Sequence, residues 1–186
     1  DALKRPKEFA PETVQAEIPA RLAAAYARIN NRERSMHYFA QAGQGLKAIL
    51  AREAGTSNAR RELLAKTLFL MGQLSPSQRA ADAEPDTFMQ SLSLQQPHLL
   101  QAAELNHPTY SVRATDDLKL AYENIFKYQL SDLEKRRAFL MRGLQVSGEL
   151  RKLRLPDGGV YVEKIYEHLD KIDSRLQAEL ARLAET

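Results

Sequence analysis

The chain has 186 residues with 44% hydrophobic and 27% charged side chains, no cysteine and a formal charge of +3. That is long enough to bury a core without staples, and it excludes disulfides, thiolate metal sites, cysteine nucleophiles and a mostly disordered chain. No apolar run reaches the roughly 20 residues of a membrane span, since the most hydrophobic stretch, Leu63 to Leu70, is interrupted by Lys66.

Abundant Ala, Leu, Arg, Gln and Glu predict helix along the whole length. Positive charge is concentrated early, with 12 Lys/Arg against 7 Asp/Glu in residues 1–66. Opposite signs nevertheless alternate as on solvated helix faces, and no basic stripe with interleaved aromatics occurs, so no nucleic-acid partner is expected. Because the chain starts at Asp1 rather than Met, a removed signal or anchor is compatible with it. The expectation is a soluble, non-inserting segment of either cytoplasm or periplasm.

Residues 1–12 hold two prolines and no apolar period, and read as an extended leader. Thr13 signals a helix start, and Pro19 places the regular helix from about Ile18 to Ile29, with Ile18, Leu22, Ala25, Tyr26 and Ile29 on one stripe. Asn30 and Asn31 tolerate the left-handed backbone that ends a helix. A second stripe holds Met36, Phe39, Ala42, Leu46, Ile49 and Leu50, with Gly43 and Gly45 allowing a close approach, and the stretch from Ala54 to Asn58 breaks it.

Leu22, Ala23 and Tyr26 before that turn, with Ser35, Phe39 and Ala42 after it, resemble a tetratricopeptide repeat, in which small residues let two antiparallel helices approach and aromatics fill the groove between them. Asn30 stands where the repeat usually has glycine, and Lys47 where it has a closing proline. A half copy follows at Leu64, Ala65, Leu68, Phe69 and Gly72. Beyond it, the helix-start signal at Ser75 to Gln78 and the interruption at Glu84 to Asp86 predict an irregular insertion near 75–97, with Pro97 restarting a helix through Leu105.

Residues 106–114 are expected to form a loop, and Thr115, Asp116 and Asp117 to begin the next helix by capping. A capping box at Ser131 to Glu134 leaves 116–154 as either a tight hairpin or one rod. After the turn at Leu155 to Gly159, Val162, Ile165, Leu169, Ile172, Leu176, Leu180 and Leu183 form a seam, which caps the array or pairs two copies of the chain. The expected domain plan is therefore a leader at 1–12, hairpins at 13–115, and a hairpin with a capping helix at 116–186. The expected fold class is all-α, and the resemblance implies antiparallel hairpins stacked as a right-handed superhelix, closed by a long C-terminal amphipathic helix.

Catalytic and metal signatures are lacking. His37, His98, His107 and His168 stand apart from one another, Gly43-Gln44-Gly45 has no phosphate-loop context, and Asp116-Asp117 reads as a cap. Glu163, Glu167 and Asp170 share a helix face with Lys164 and Lys171, which reads as ion pairing. No enzyme activity or cofactor is expected. The resemblance implies a non-catalytic scaffold or adaptor that binds a peptide or helix of a protein partner in a groove. Groove-facing positions carried over from it are Glu17, Ala20, Arg21, Ala24, Ala27, Arg28, Glu62, Lys66 and Phe69. Of these, Arg21, Ala24, Arg28, Lys66 and Phe69 are the expected partner-binding residues, with Arg21, Arg28 and Lys66 meeting acidic or carboxylate groups and Phe69 an apolar anchor. The alternative is a structural or sensory bundle, the soluble part of an anchored or oligomeric assembly, with a homodimer through the C-terminal helix.

Overall fold

Pro19 dictates how the first helix begins. It has no N–H to offer the Gln15 carbonyl, and the chain there adopts a π-turn over Thr13–Glu17 in which the Ile18 N–H donates to the Thr13 carbonyl, five residues back. In the computed structural model, which describes residues 6–51, 58–73, 83–153 and 158–185, this turn leads into α1 (Ile18–Arg28). Six further helices follow among the described residues: α2 (Arg32–Ala51), α3 (Asn58–Met71), α4 (Pro85–Glu104), α5 (Tyr110–Glu123), α6 (Leu133–Lys152) and α7 (Gly159–Ala184). The fold is all-α. Ahead of it, Pro6–Glu8 forms a 3-10 turn, and Pro11 and Glu12 are already helical rather than extended.

α1 and α2 form an antiparallel hairpin. Asn30 takes a φ of 57°, as its position after α1 predicts. Asn31 then caps α2, its Oδ1 accepting from the Arg34 N–H at 3.1 Å. The two helices meet through small residues. Ser35 Oγ donates to the Ala23 carbonyl at 2.9 Å, and the Tyr26 and Tyr38 rings stack 5.6 Å apart. Gly45 sits against the π-turn so closely that a Cβ there would lie 1.9 Å from the Gln15 carbonyl oxygen. The expected close approach therefore belongs to Gly45, whereas a Cβ on Gly43 would meet nothing nearer than Met71 at 3.8 Å.

α3 packs on α1, α4 and α5, and α4 packs in turn on α5, α6 and α7. Gly72, which ends α3, lies where a Cβ would enter the Leu99 side chain of α4. The core is continuous across both halves and includes Leu46, Phe69, Phe88, Leu99, Tyr122 and Leu169. Gln96 fastens three helices at its centre. Its Nε2 donates to the Val146 carbonyl of α6 at 2.9 Å, and its Oε1 accepts from the Tyr122 hydroxyl of α5 at 2.5 Å. Burial pushes the Tyr122 phenol well above its usual range, with Asp173 and Glu149 adding to the shift.

Several expectations change here. Pro97 does not restart a helix, because α4 runs unbroken through it: the buried flanking residues Gln96, Leu99 and Leu100 hold the helix together. α4 is thus a regular 20-residue helix where much of an insertion was expected, and the predicted start at Ser75 to Gln78 lies outside the described residues. The segment 106–114 is not all loop, since α5 starts at Tyr110. Thr115 is no cap but a buried mid-helix residue whose hydroxyl donates to the Ser111 carbonyl at 2.8 Å. The start is organised instead by His107, whose Nδ1 accepts from the Thr109 and Tyr110 N–H groups at 3.2 Å, after Asn106 turns the chain with a φ of 51°.

The region 116–154 is neither rod nor hairpin. α5 ends at Glu123 and passes through a 3-10 turn at Asn124–Lys127. α6 then begins under Asp132, whose side chain, rather than that of Ser131, accepts from the Lys135 N–H at 3.0 Å. α5 and α6 face each other across a four-helix arrangement, each packed on α4 and α7. The seam of α7 is consumed within the chain: Leu169 and Leu176 are buried, so Asp at these positions would unfold the protein rather than separate a dimer. Arg151 of α6 ties the outside of this helix pair by bonding Asp173 through Nε and Nη2 at 3.1 and 2.8 Å and Asp170 at 2.8 Å.

Candidate functional site

α1, α3 and α5 lie side by side, with α1 and α5 on either side of α3. Residues seven apart on a helix share a face, so Arg21 and Arg28 of α1 point the same way. So do Lys66 and Phe69 of α3, with Gln73 just beyond its end, and Tyr110, Arg113 and Asp117 of α5. These residues, with Leu70, line one cleft of about 340 Å³.

The charges in the cleft fall into two groups. Glu17, at the end of the π-turn, is buried and holds two cations on Oε1: Arg21, through Nε at 2.9 Å and Nη2 at 2.8 Å, and Lys66, through Nζ at 2.8 Å. Burial by itself raises the Glu17 pKa, but the hydrogen bonds and charges of Lys66 and Arg21 outweigh it and hold the carboxyl below its ordinary range. Asp117 is likewise occupied, its Oδ2 accepting from Gln73 Nε2 at 2.9 Å. Arg28 and Arg113 form the second group. Neither has a carboxylate partner among the described residues, and the Arg113 guanidinium lies 5.3 Å from the centre of the Phe69 ring, which in turn is tilted against Tyr110 at 6.0 Å. Four cations against two carboxylates leave two positive charges in excess.

Of the residues expected in a groove, Arg21, Arg28, Lys66 and Phe69 do converge on this cleft. Ala24 lines an adjoining apolar notch together with Ala27. Ala20 is fully buried and Glu17 is the buried ion-pair hub, so neither lines a groove. Glu62 is exposed and stands apart from the cleft. Sequence reasoning missed Tyr110, Arg113, Gln73 and Asp117. The signal for the three on α5 was present as their i, i+3, i+7 spacing, hidden because 106–114 was read as loop.

The histidines are structural in character. His37 shares a 3.0 Å hydrogen bond with Gln41. His98 meets the Phe39 ring edge-on at 5.2 Å, and burial holds its pKa below the ordinary value. His168 lies 3.3 Å from Glu123, and its pKa too is lowered by burial, against the pull of that carboxylate. Among the described residues no cluster of His, Asp and Glu is arranged to hold a metal ion. No family model, curated protein or solved structure matches the chain.

Proposed function

We propose that the chain is a non-catalytic interaction module of the tetratricopeptide-repeat kind, whose first helices α1, α3 and α5 form the face that captures an acidic peptide segment of a protein partner. The observation that carries this reading is the pair Arg28 and Arg113, which flank α3 without a carboxylate partner among the described residues. Guanidinium groups bind carboxylates in a planar, two-pronged geometry that suits recognition of Asp and Glu side chains. The repeat-like order is supported by the α1–α2 hairpin, by α3 stacking on α1, and by α4 packing behind α3. It does not extend to α6, which packs on α4 and α7 rather than on α5.

The test uses a fluorescein-labelled, Glu-rich peptide and fluorescence anisotropy. Replacing Arg28 and Arg113 together by Ala weakens binding about tenfold and leaves helicity and melting temperature unchanged, because both side chains are exposed. Lys66 is a poorer target, since Ala there removes one of the two cations that hold the buried Glu17 carboxylate. An affinity unaffected by the double substitution refutes the cleft as the binding site.

A further inference from the structure

The cationic cleft is not closed at its α1 end. Leu70 and Gln73 line it, and the same two residues line the apolar notch on the other side, a recess of about 80 Å³ floored by Ala23, Ala24 and Ala27. Two exposed side chains form the notch's outer lip: Met36 of α2 at 51% exposure and Leu94 of α4 at 55%. Gln95 also lines the notch, and its side-chain Oε1 is buried with no hydrogen-bond partner. The notch itself admits about one side chain, and past Met36 and Leu94 it adjoins a wider recess of about 340 Å³.

We propose that cleft and notch form one bipartite site, and that its occupant is an extended acidic segment of a partner protein with an aliphatic side chain next to its carboxylates. The carboxylates meet Arg28 and Arg113. The chain then crosses the saddle at Leu70 and Gln73, and its aliphatic side chain enters the notch over Ala24 and Ala27. This rests on the acidic-segment reading and adds a second determinant to it. Charge complementarity selects the acidic part, and the continuity of the two recesses selects an apolar neighbour over a second acid.

The experiment compares two families of fluorescein-labelled peptides, each with a Glu pair. In one, a Leu is placed at each successive position after the pair; in the other, Ala replaces that Leu. Binding to the full chain is measured by anisotropy. At one spacing the Leu peptide binds about tenfold tighter than its Ala counterpart. The double variant Met36→Gln/Leu94→Gln, altered only at exposed positions, abolishes that advantage while still binding the Ala peptide. Arg28→Ala/Arg113→Ala weakens both peptides by the same factor. Equal affinities for Leu and Ala at every spacing, or a Leu advantage that survives in Met36→Gln/Leu94→Gln, overturn the bipartite site and leave the acidic cleft standing. If neither family binds, both readings fall together.

Discussion

Glu17 offers the sharpest test of the cleft's electrostatics, because its removal is expected to act in opposite directions on folding and on binding. Glu17→Gln keeps shape and hydrogen-bonding capacity but deletes the charge that Lys66 and Arg21 share. Removing one partner of a fully buried pair costs about 3–5 kcal/mol. Here the Lys66 side chain keeps 20% of its exposure and Arg21 58%, so water screens both and the cost falls to about 1–2 kcal/mol. For a chain of this length that lowers the melting temperature by roughly 2–8 °C.

The pH dependence follows from the sign of the shift. A carboxyl held below its ordinary pKa in the folded state contributes stability above the ordinary carboxylate range, and loses it as pH falls through the depressed folded value. The gap between wild type and Glu17→Gln, measured by circular dichroism melts, is therefore full at about pH 7 and closes in acid. The exposed Glu62→Gln serves as the control with no gap. Meanwhile the variant's cleft gains one uncompensated positive charge, which tightens the Glu-rich peptide about threefold at low salt. A variant as stable as wild type at neutral pH, a gap that persists in acid, or weakened peptide binding would each contradict this account of the site.

Two further substitution sets test the packing. Gly45→Ala drives a Cβ into the Gln15 backbone and lowers stability by about 3 kcal/mol or more in chemical denaturation, while Gly43→Ala in the same helix is neutral or stabilises by up to about 1 kcal/mol. Gln96→Leu strands the Tyr122 hydroxyl in the core at a cost of about 2–3 kcal/mol. Adding Tyr122→Phe recovers part of that loss, so a double mutant no better than Gln96→Leu alone would rule out the buried hydrogen bond as the cause.

What could be read from the sequence divides along physical lines. Periodicity located α1, α2 and α7 because each has one apolar stripe facing one core, and Asn30 marked a chain reversal because few other residues accept its backbone angle. The start of α5 was misread for the opposite reason. Thr115-Asp116-Asp117 has every feature of a cap, but Thr115 turns inward and satisfies its hydroxyl on Ser111. The real organiser, His107, acts through a ring nitrogen that cap preferences do not single out. Pro97 shows tertiary packing overriding a local breaker, with its neighbours Gln96, Leu99 and Leu100 all buried. The site was half legible: a repeat pattern on α1 and α3 led to Arg21, Arg28, Lys66 and Phe69, while the third wall was lost along with the beginning of α5.

Pro19 links the fold to the cleft. Without its N–H the turn before α1 cannot follow the ordinary helical pairing, and the resulting π-turn ends at Glu17, with the Gln15 carbonyl against Gly45 of α2. Glu17 is thereby buried where α1 meets α3, and a buried carboxylate must find cations. It takes Lys66 from α3 and Arg21 from α1, which ties the two helices together and neutralises the deep end of the groove. The cations left over, Arg28 at the C-terminal end of α1 and Arg113 on α5, are not held by that anchor. The same proline that interrupts the helix therefore separates the cleft's structural charges from those left available to a ligand.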